Sequence, residues 1–280
     1  RGIRTAPVPQ GHFRLAPHAP EEIAQRAFAN ELDKNFLFAC MLQAAGIDCS
    51  FALVRSRSRG PIAEEAPSLR AFDRSAVYLT REKRFVTVVS DVLSFGDLPG
   101  EMQISPALVI GQRGKGLTVT QRPGLKEELS STAFDATLDK DGNLEIRLVY
   151  AGVGNNGSWL RSMKNLADQE FRTQLEQMAS YLHPAAVLKS YEKTDLADLS
   201  VPPSLTLCCA IPGYAVRAGD DLMLFNIPAM TYDAGDVGRP TREHGLFWSG
   251  IGRELISGSL RLPEGYTVYS APNAFRFKSH

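Results

Sequence analysis

The chain has 280 residues, 44% of them hydrophobic and 22% charged, enough apolar material for one large domain or two ordinary ones. Its 31 basic and 31 acidic side chains cancel, so no net field draws it to nucleic acid or to an anionic membrane surface. No run approaches the ~18 apolar residues of a membrane-spanning helix. The opening at Arg1 rather than Met reads as a fragment or a processed product and leaves targeting open.

The first twenty residues, rich in proline, read as an extended lead-in. Pro20 then opens a short helix in EEIAQRAF, with acidic residues in the first turn where the helix dipole favours them. A second helix is predicted over Leu32 to Ala45. Phe36, Leu37, Cys40, Met41 and Ala44 recur at helical spacing, with Leu37, Cys40 and Met41 expected inward, and Gly46 ends it. Strands follow in IDCSFALV, SAVYLT and RFVTVVS. Between them, the basic run RSRSRG (Arg55 to Gly60) reads first as a solvated loop and second as a phosphate site.

Beyond Pro106 the texture changes to short segments punctuated by Gly and Pro. TAFDATLDKDGNLEIRLVYAG reads as a hairpin closed at KDGN, where Asp-Gly supplies a tight turn. GVGNNGSW lacks the lysine and hydroxyl of a phosphate loop and reads as a strand-to-helix turn. A long helix is predicted over about residues 160–182, packing on a sheet or mediating assembly. Strands then return in LTLCCAIPGYAV, DDLMLFNIPA and ELISGSLRLPEGYTVYSAP. The repeated short strands predict a β-sandwich.

Cys40, Cys49, Cys208 and Cys209 form no C-x-x-C pair and have no histidine close in sequence, which argues against zinc. No cofactor or metal is implied.

The stretch PHAPEEIAQRAFANELDKNFLFACMLQAAGIDCSFALV resembles the core of bacterial transglutaminase-like proteins, a branch of the papain-like cysteine-enzyme superfamily. That branch reads P-x-x-P-x-E-V, then G-D-C-K-D-K, then an aliphatic helix ending in A-A-G-I. Aligned without a gap, Glu31 falls on the catalytic cysteine, Leu32 on the following lysine, and Asp33 and Lys34 on the closing D-K. FDR places Arg74 at the histidine position. FVTVV, aligned back from FGDLP, places Thr87 at the aspartate position, with Asp91 the second choice through a gapped alignment.

The resemblance implies an α+β, papain-like core with an antiparallel sheet over residues 1–112. A β-sandwich then takes residues 113–280, and a further N-terminal β-sandwich domain precedes Arg1 in the complete protein.

The replacements bear on chemistry. A cysteine enzyme of this kind needs a thiolate beside an imidazolium and a base that titrates near working pH. Glu31 is a poor acyl-transfer nucleophile, and the guanidinium of Arg74 shuttles no protons. The expectation is a pseudoenzyme that binds a peptide or protein partner, in the cell envelope where many such relatives are exported. Asp33, Lys34, Asp73 and Arg74 are its candidate cleft residues, and Glu31 and Arg74 are expected to face each other. The rival expectation is an amide hydrolase or acyltransferase with an unrecognised nucleophile, or a metal held by Glu31, Asp33 and a histidine such as His12 or His18. A Cys or Ser within hydrogen-bond reach of a histidine would favour that rival.

Overall fold

The computed structural model describes residues 3–6, 16–26, 28–62, 68–111, 116–219, 221–230, 241, 243, 252–274 and 276. His12 lies outside them. The described chain is α+β, with largely antiparallel sheets. Its first half comprises β1 (Arg4–Thr5), α1 (Pro20–Gln25), β2 (Phe28–Ala29), α2 (Glu31–Ala44), β3 (Cys49–Val54), β4 (Arg74–Leu79), β5 (Arg84–Val86), β6 (Pro106–Val109) and β7 (Thr118–Val119).

Five of these strands make an antiparallel sheet in the order β5-β4-β3-β6-β7. Both faces of its centre are covered. Ala52, Val54 and Ala76 pack against Leu98 and Met102 of the loop before β6. On the opposite face, Cys49 and Val77 pack with Ala39 of α2, and Leu53 packs with Leu32. Because β7 belongs to this sheet, the chain leaves it only after Val119.

The α2 helix begins at Glu31, where the Asn30 side chain accepts the Asp33 N–H at 2.9 Å, an N-cap satisfying one of the helix's orphan donors. It ends before Gly46, whose φ of 78° suits glycine. Its buried face corrects the expectation. Leu32, Asp33, Asn35 and Ala39 are buried, whereas Leu37 and Cys40 are half-buried and Met41 is 62% exposed. β5 is also shorter than expected: the chain turns off at Thr87, and the side chain of Asn35 accepts the Val88 N–H that a continuing strand would offer to its neighbour.

The second half comprises β8 (Leu129–Leu138), β9 (Leu144–Val153), α3 (Ser158–Ser162), α4 (Asp168–Leu182), β10 (Val187–Lys193), β11 (Ser204–Ile211), β12 (Val216–Arg217), β13 (Met223–Leu224) and β14 (Arg253–Arg261). The sheet order is β10-β11-β9-β8-β14. The β8–β9 hairpin turns at Gly142, with φ 85°, where a Cβ would lie 2.6 Å from the Ala215 carbonyl oxygen. β14 pairs with β8 in parallel.

The sheet's inner residues, among them Phe134, Leu148 and Leu207, pack on Leu160 and Met163 and on the α4 stripe Phe171, Leu175 and Ala179. Among the described residues the layer facing this sheet is therefore helical, not the second sheet of a sandwich. Nor is it one continuous helix over 160–182. A 3-10 turn at Met163–Asn165 and extended backbone at Leu166 separate α3 from α4, and the carboxylate of Glu170 accepts the Ala167 N–H to start α4 afresh. The segment after β14, read as further strand, carries no strand through Ala274, and Tyr269 is 90% exposed. No helix among the described residues is long and apolar enough to cross a membrane.

The halves meet through polar contacts. Ser94 Oγ donates to the Leu199 carbonyl at 2.8 Å, the Gly100 N–H to Asn155 Oδ1 at 3.3 Å, and the Gln103 amide to the carboxylate of Glu128.

Candidate functional site

The fold brings the N-terminus of α2 against the first residues of β4, and this places Glu31 and Arg74 together. Arg74 Nη1 donates to Glu31 Oε2 at 3.0 Å, and the Ser75 backbone N–H donates to Glu31 Oε1 at 2.8 Å. The Ser75 hydroxyl donates to the Glu31 carbonyl at 3.2 Å. The other end of the guanidinium, Nη2, is ion-paired to Glu101 in the loop beneath the opposite face of the sheet. β-strand alternation explains the arrangement. Ser75 faces α2, while Arg74 starts on the other side and reaches around the strand's end to bridge both layers.

The cluster is extended by Asn35, one turn along α2 and fully buried. Its amide nitrogen donates to the Ser75 carbonyl at 2.8 Å and lies 3.1 Å from the Ser75 hydroxyl. Its Oδ1 accepts from the Thr87 hydroxyl and the Val88 N–H, each at 3.1 Å. Thr87 thus joins Glu31 only through Asn35 and Ser75. Sequence reading missed Asn35, Ser75 and Glu101; the available signal was an asparagine on the same helical stripe as Leu32 and Ala39.

The other candidates point elsewhere. Asp33 is buried and accepts both the backbone N–H of His18, at 2.9 Å, and its ring Nδ1, at 2.8 Å, pinning the lead-in to the helix start. Glu31 turns toward β4 and Asp33 toward His18, so the two carboxylates do not share a ligand. Lys34 donates to the Thr5 hydroxyl at 2.8 Å. Asp73 accepts from the Ser56 N–H and hydroxyl at 2.8 and 2.6 Å, with Arg59 at 3.7 Å. Asp91 faces the second half, paired with Lys164 at 2.9 Å. In the basic run, Arg55 donates to the Gly60 and Ala71 carbonyls, each at 2.7 Å, and so ties two loops together. The GVGNNGSW turn holds an internal anion, because the carboxylate of Glu128 accepts the Asn156 N–H at 3.3 Å.

Electrostatics acts on the two members of the pair in opposite senses. Burial pushes the carboxyl of Glu31 above its ordinary range, against the opposing pull of the Ser75 N–H and of Arg74. For Arg74, burial opposes the charge, but Glu31 and Glu101 more than offset it, and its pKa is raised. The partners thus weigh the pair differently: the arginine gains from it, while desolvation of the deeper glutamate outweighs its gain. The glutamate is the titratable member, and the guanidinium remains charged at any relevant pH.

A carboxylate gripped by a cation and a backbone N–H is a weak nucleophile, and neither Arg74 nor Thr87 is a proton shuttle. Among the described residues no Cys or Ser hydrogen-bonds to a histidine ring: His18 binds Asp33, and Nδ1 of His183 accepts the Ala185 N–H. Burial raises the thiols of Cys40 and Cys49, and that of Cys209 to about 11, away from thiolate chemistry. Compared with known proteins, the chain matches no family model, no curated protein and no solved structure, so the reading of this site rests on its own residues and geometry.

Proposed function

We propose that this chain is a non-catalytic binding module, a transglutaminase-like scaffold in which a glutamate–arginine pair stands where the reactive pair would be. One observation carries the proposal: Glu31 is held by Arg74 and the Ser75 N–H. In a working enzyme the helix-start residue would face a titrating imidazole. Here it faces a guanidinium, which locks α2 to β4 and supplies no proton transfer. The partner class is a peptide or protein, consistent with the balanced net charge, and the sequence resemblance to exported transglutaminase-like proteins suggests an envelope partner.

The test is an assay of amine incorporation, glutamine deamidation and peptide hydrolysis, with purified chain before and after thiol alkylation. No turnover is expected in either sample, and partner binding is expected to survive alkylation. Turnover abolished by a reagent that modifies only Cys40 or Cys49 would overturn the proposal.

A further inference from the structure

The face of α2 that bears Leu37, Met41 and the partly buried Phe38, which also packs on the core, lines an open groove of about 820 Å³. Lys34, Leu37, Phe38 and Met41 follow one another at i, i+3, i+4 and i+7, so they form a single stripe along its helical wall. The facing walls are runs of consecutive residues, Ile3–Thr5 and Val88–Val89. The two runs are tied to each other, because the Thr5 hydroxyl donates to the Val89 carbonyl at 3.3 Å. Among the described residues β1 is hydrogen-bonded on one edge only, to β2.

The groove's charges are unequal. Lys34 has a hydroxyl partner, Thr5, but no carboxylate within ion-pair distance among the described residues. Arg4 adds a second cation on the rim. Asp91 lines the groove too, paired with Lys164 at 2.9 Å and acting on Lys34 from beyond ion-pair distance. Burial lowers the pKa of Lys34, with Asp91 acting the other way, so an incoming carboxylate would relieve a desolvated ammonium.

We propose that this groove binds an extended peptide whose apolar side chains lie on Leu37, Phe38 and Met41 and whose carboxylate meets Lys34. The strand edge of β1 left open among the described residues favours a peptide, which brings its own donors and acceptors, over an alkyl chain, which brings none. The apolar stripe supplies contact area, and the ammonium supplies orientation. The inference deepens the binding-module reading and rests on it in one respect: the peptide is held, not cut.

The experiment uses the full 280-residue chain and a set of fluorescein-labelled hexapeptides built from Leu, Val, Phe and Ser, each as free acid and as amide. Fluorescence anisotropy is expected to show saturable binding of free acids, weakened at least tenfold by amidation. Lys34→Gln is expected to remove the preference for the acid. Met41→Glu, on a largely exposed position, is expected to abolish binding of both forms with the melting curve unchanged. Equal affinity for acid and amide, indifference to Met41→Glu, or absence of saturable binding would overturn the groove. So would displacement by dodecanoate at lower concentration than by unlabelled peptide acid. Mass spectrometry of the same samples separates the two readings: a cleaved peptide sinks the non-catalytic one, whereas an intact, unbound peptide sinks only the groove.

Discussion

Replacing Glu31 by alanine removes the acceptor for the Ser75 N–H and one of the two carboxylates on Arg74. An unpaired buried backbone donor costs about 1–3 kcal/mol. Loss of a carboxylate from the first turn of a helix adds roughly 0.3–1 kcal/mol. The lost ion pair adds little, because the side chain of Arg74 is 35% exposed and keeps Glu101. Against these stands the relief of a buried carboxylate, so the net loss is expected near ~2 kcal/mol, or a melting point lower by about 4–8 °C for a chain of this size. Glu31→Gln keeps an acceptor for Ser75 and is expected to lose under ~1 kcal/mol at neutral pH.

The pH dependence has a definite sign. Burial raises the folded-state pKa of Glu31 above 4.5, so its stabilising contribution is complete below that value and is lost as pH rises through the folded pKa. Wild-type stability relative to Glu31→Gln is therefore expected to fall between pH 4.5 and neutrality. Urea unfolding of wild type and both variants across that range measures both effects. Equal losses for Ala and Gln, or a loss below ~0.5 kcal/mol for Ala, would refute the reasoning that Glu31 is a structural acceptor.

Asn35→Ala removes a buried amide that serves Ser75, Thr87 and Val88, and is expected to destabilise by about 3 kcal/mol in the same urea assay. Glu128 is buried at the junction of the halves, where desolvation raises its pKa above 4.5 despite bonds from Asn155, Gln103 and Asn156. Its contribution is likewise present below 4.5 and lost as pH rises through the folded pKa, so Glu128→Gln is expected to flatten the stability profile above pH 4.5. A profile parallel to wild type would count against that placement of the charge. The combined variant Glu31→Cys, Arg74→His, Thr87→Asp is expected to show no amine-incorporating or hydrolytic turnover, because position 87 faces Asn35 of α2, where an aspartate would set its carboxylate against the Asn35 Oδ1 rather than orient residue 74. Measurable acyl transfer would show that the scaffold still holds catalytic geometry.

Local chemistry made several features legible without coordinates. Gly46 announced the end of α2, Asp-Gly at 141–142 the hairpin turn, and Pro20 with its acidic neighbours the start of α1. Residue types alone were enough to expect no thiolate at position 31 and no titrating base at position 74, since glutamate carries no thiol and a guanidinium stays charged.

The choice of buried face on α2 was not local. Leu32 and Ala39 on one side and Leu37 and Met41 on the other are all apolar, so periodicity names two candidate faces, and the position of β3 and β4 selects between them. Tertiary structure likewise decided that helices, not a second sheet, cover the C-terminal sheet, and that β14 joins β8 from more than a hundred residues away. The role of Asn35 is of the same kind. Its partners lie 40 to 53 positions along the chain, and an amide's choice between solvent and a buried network is made only when folding carries them to it.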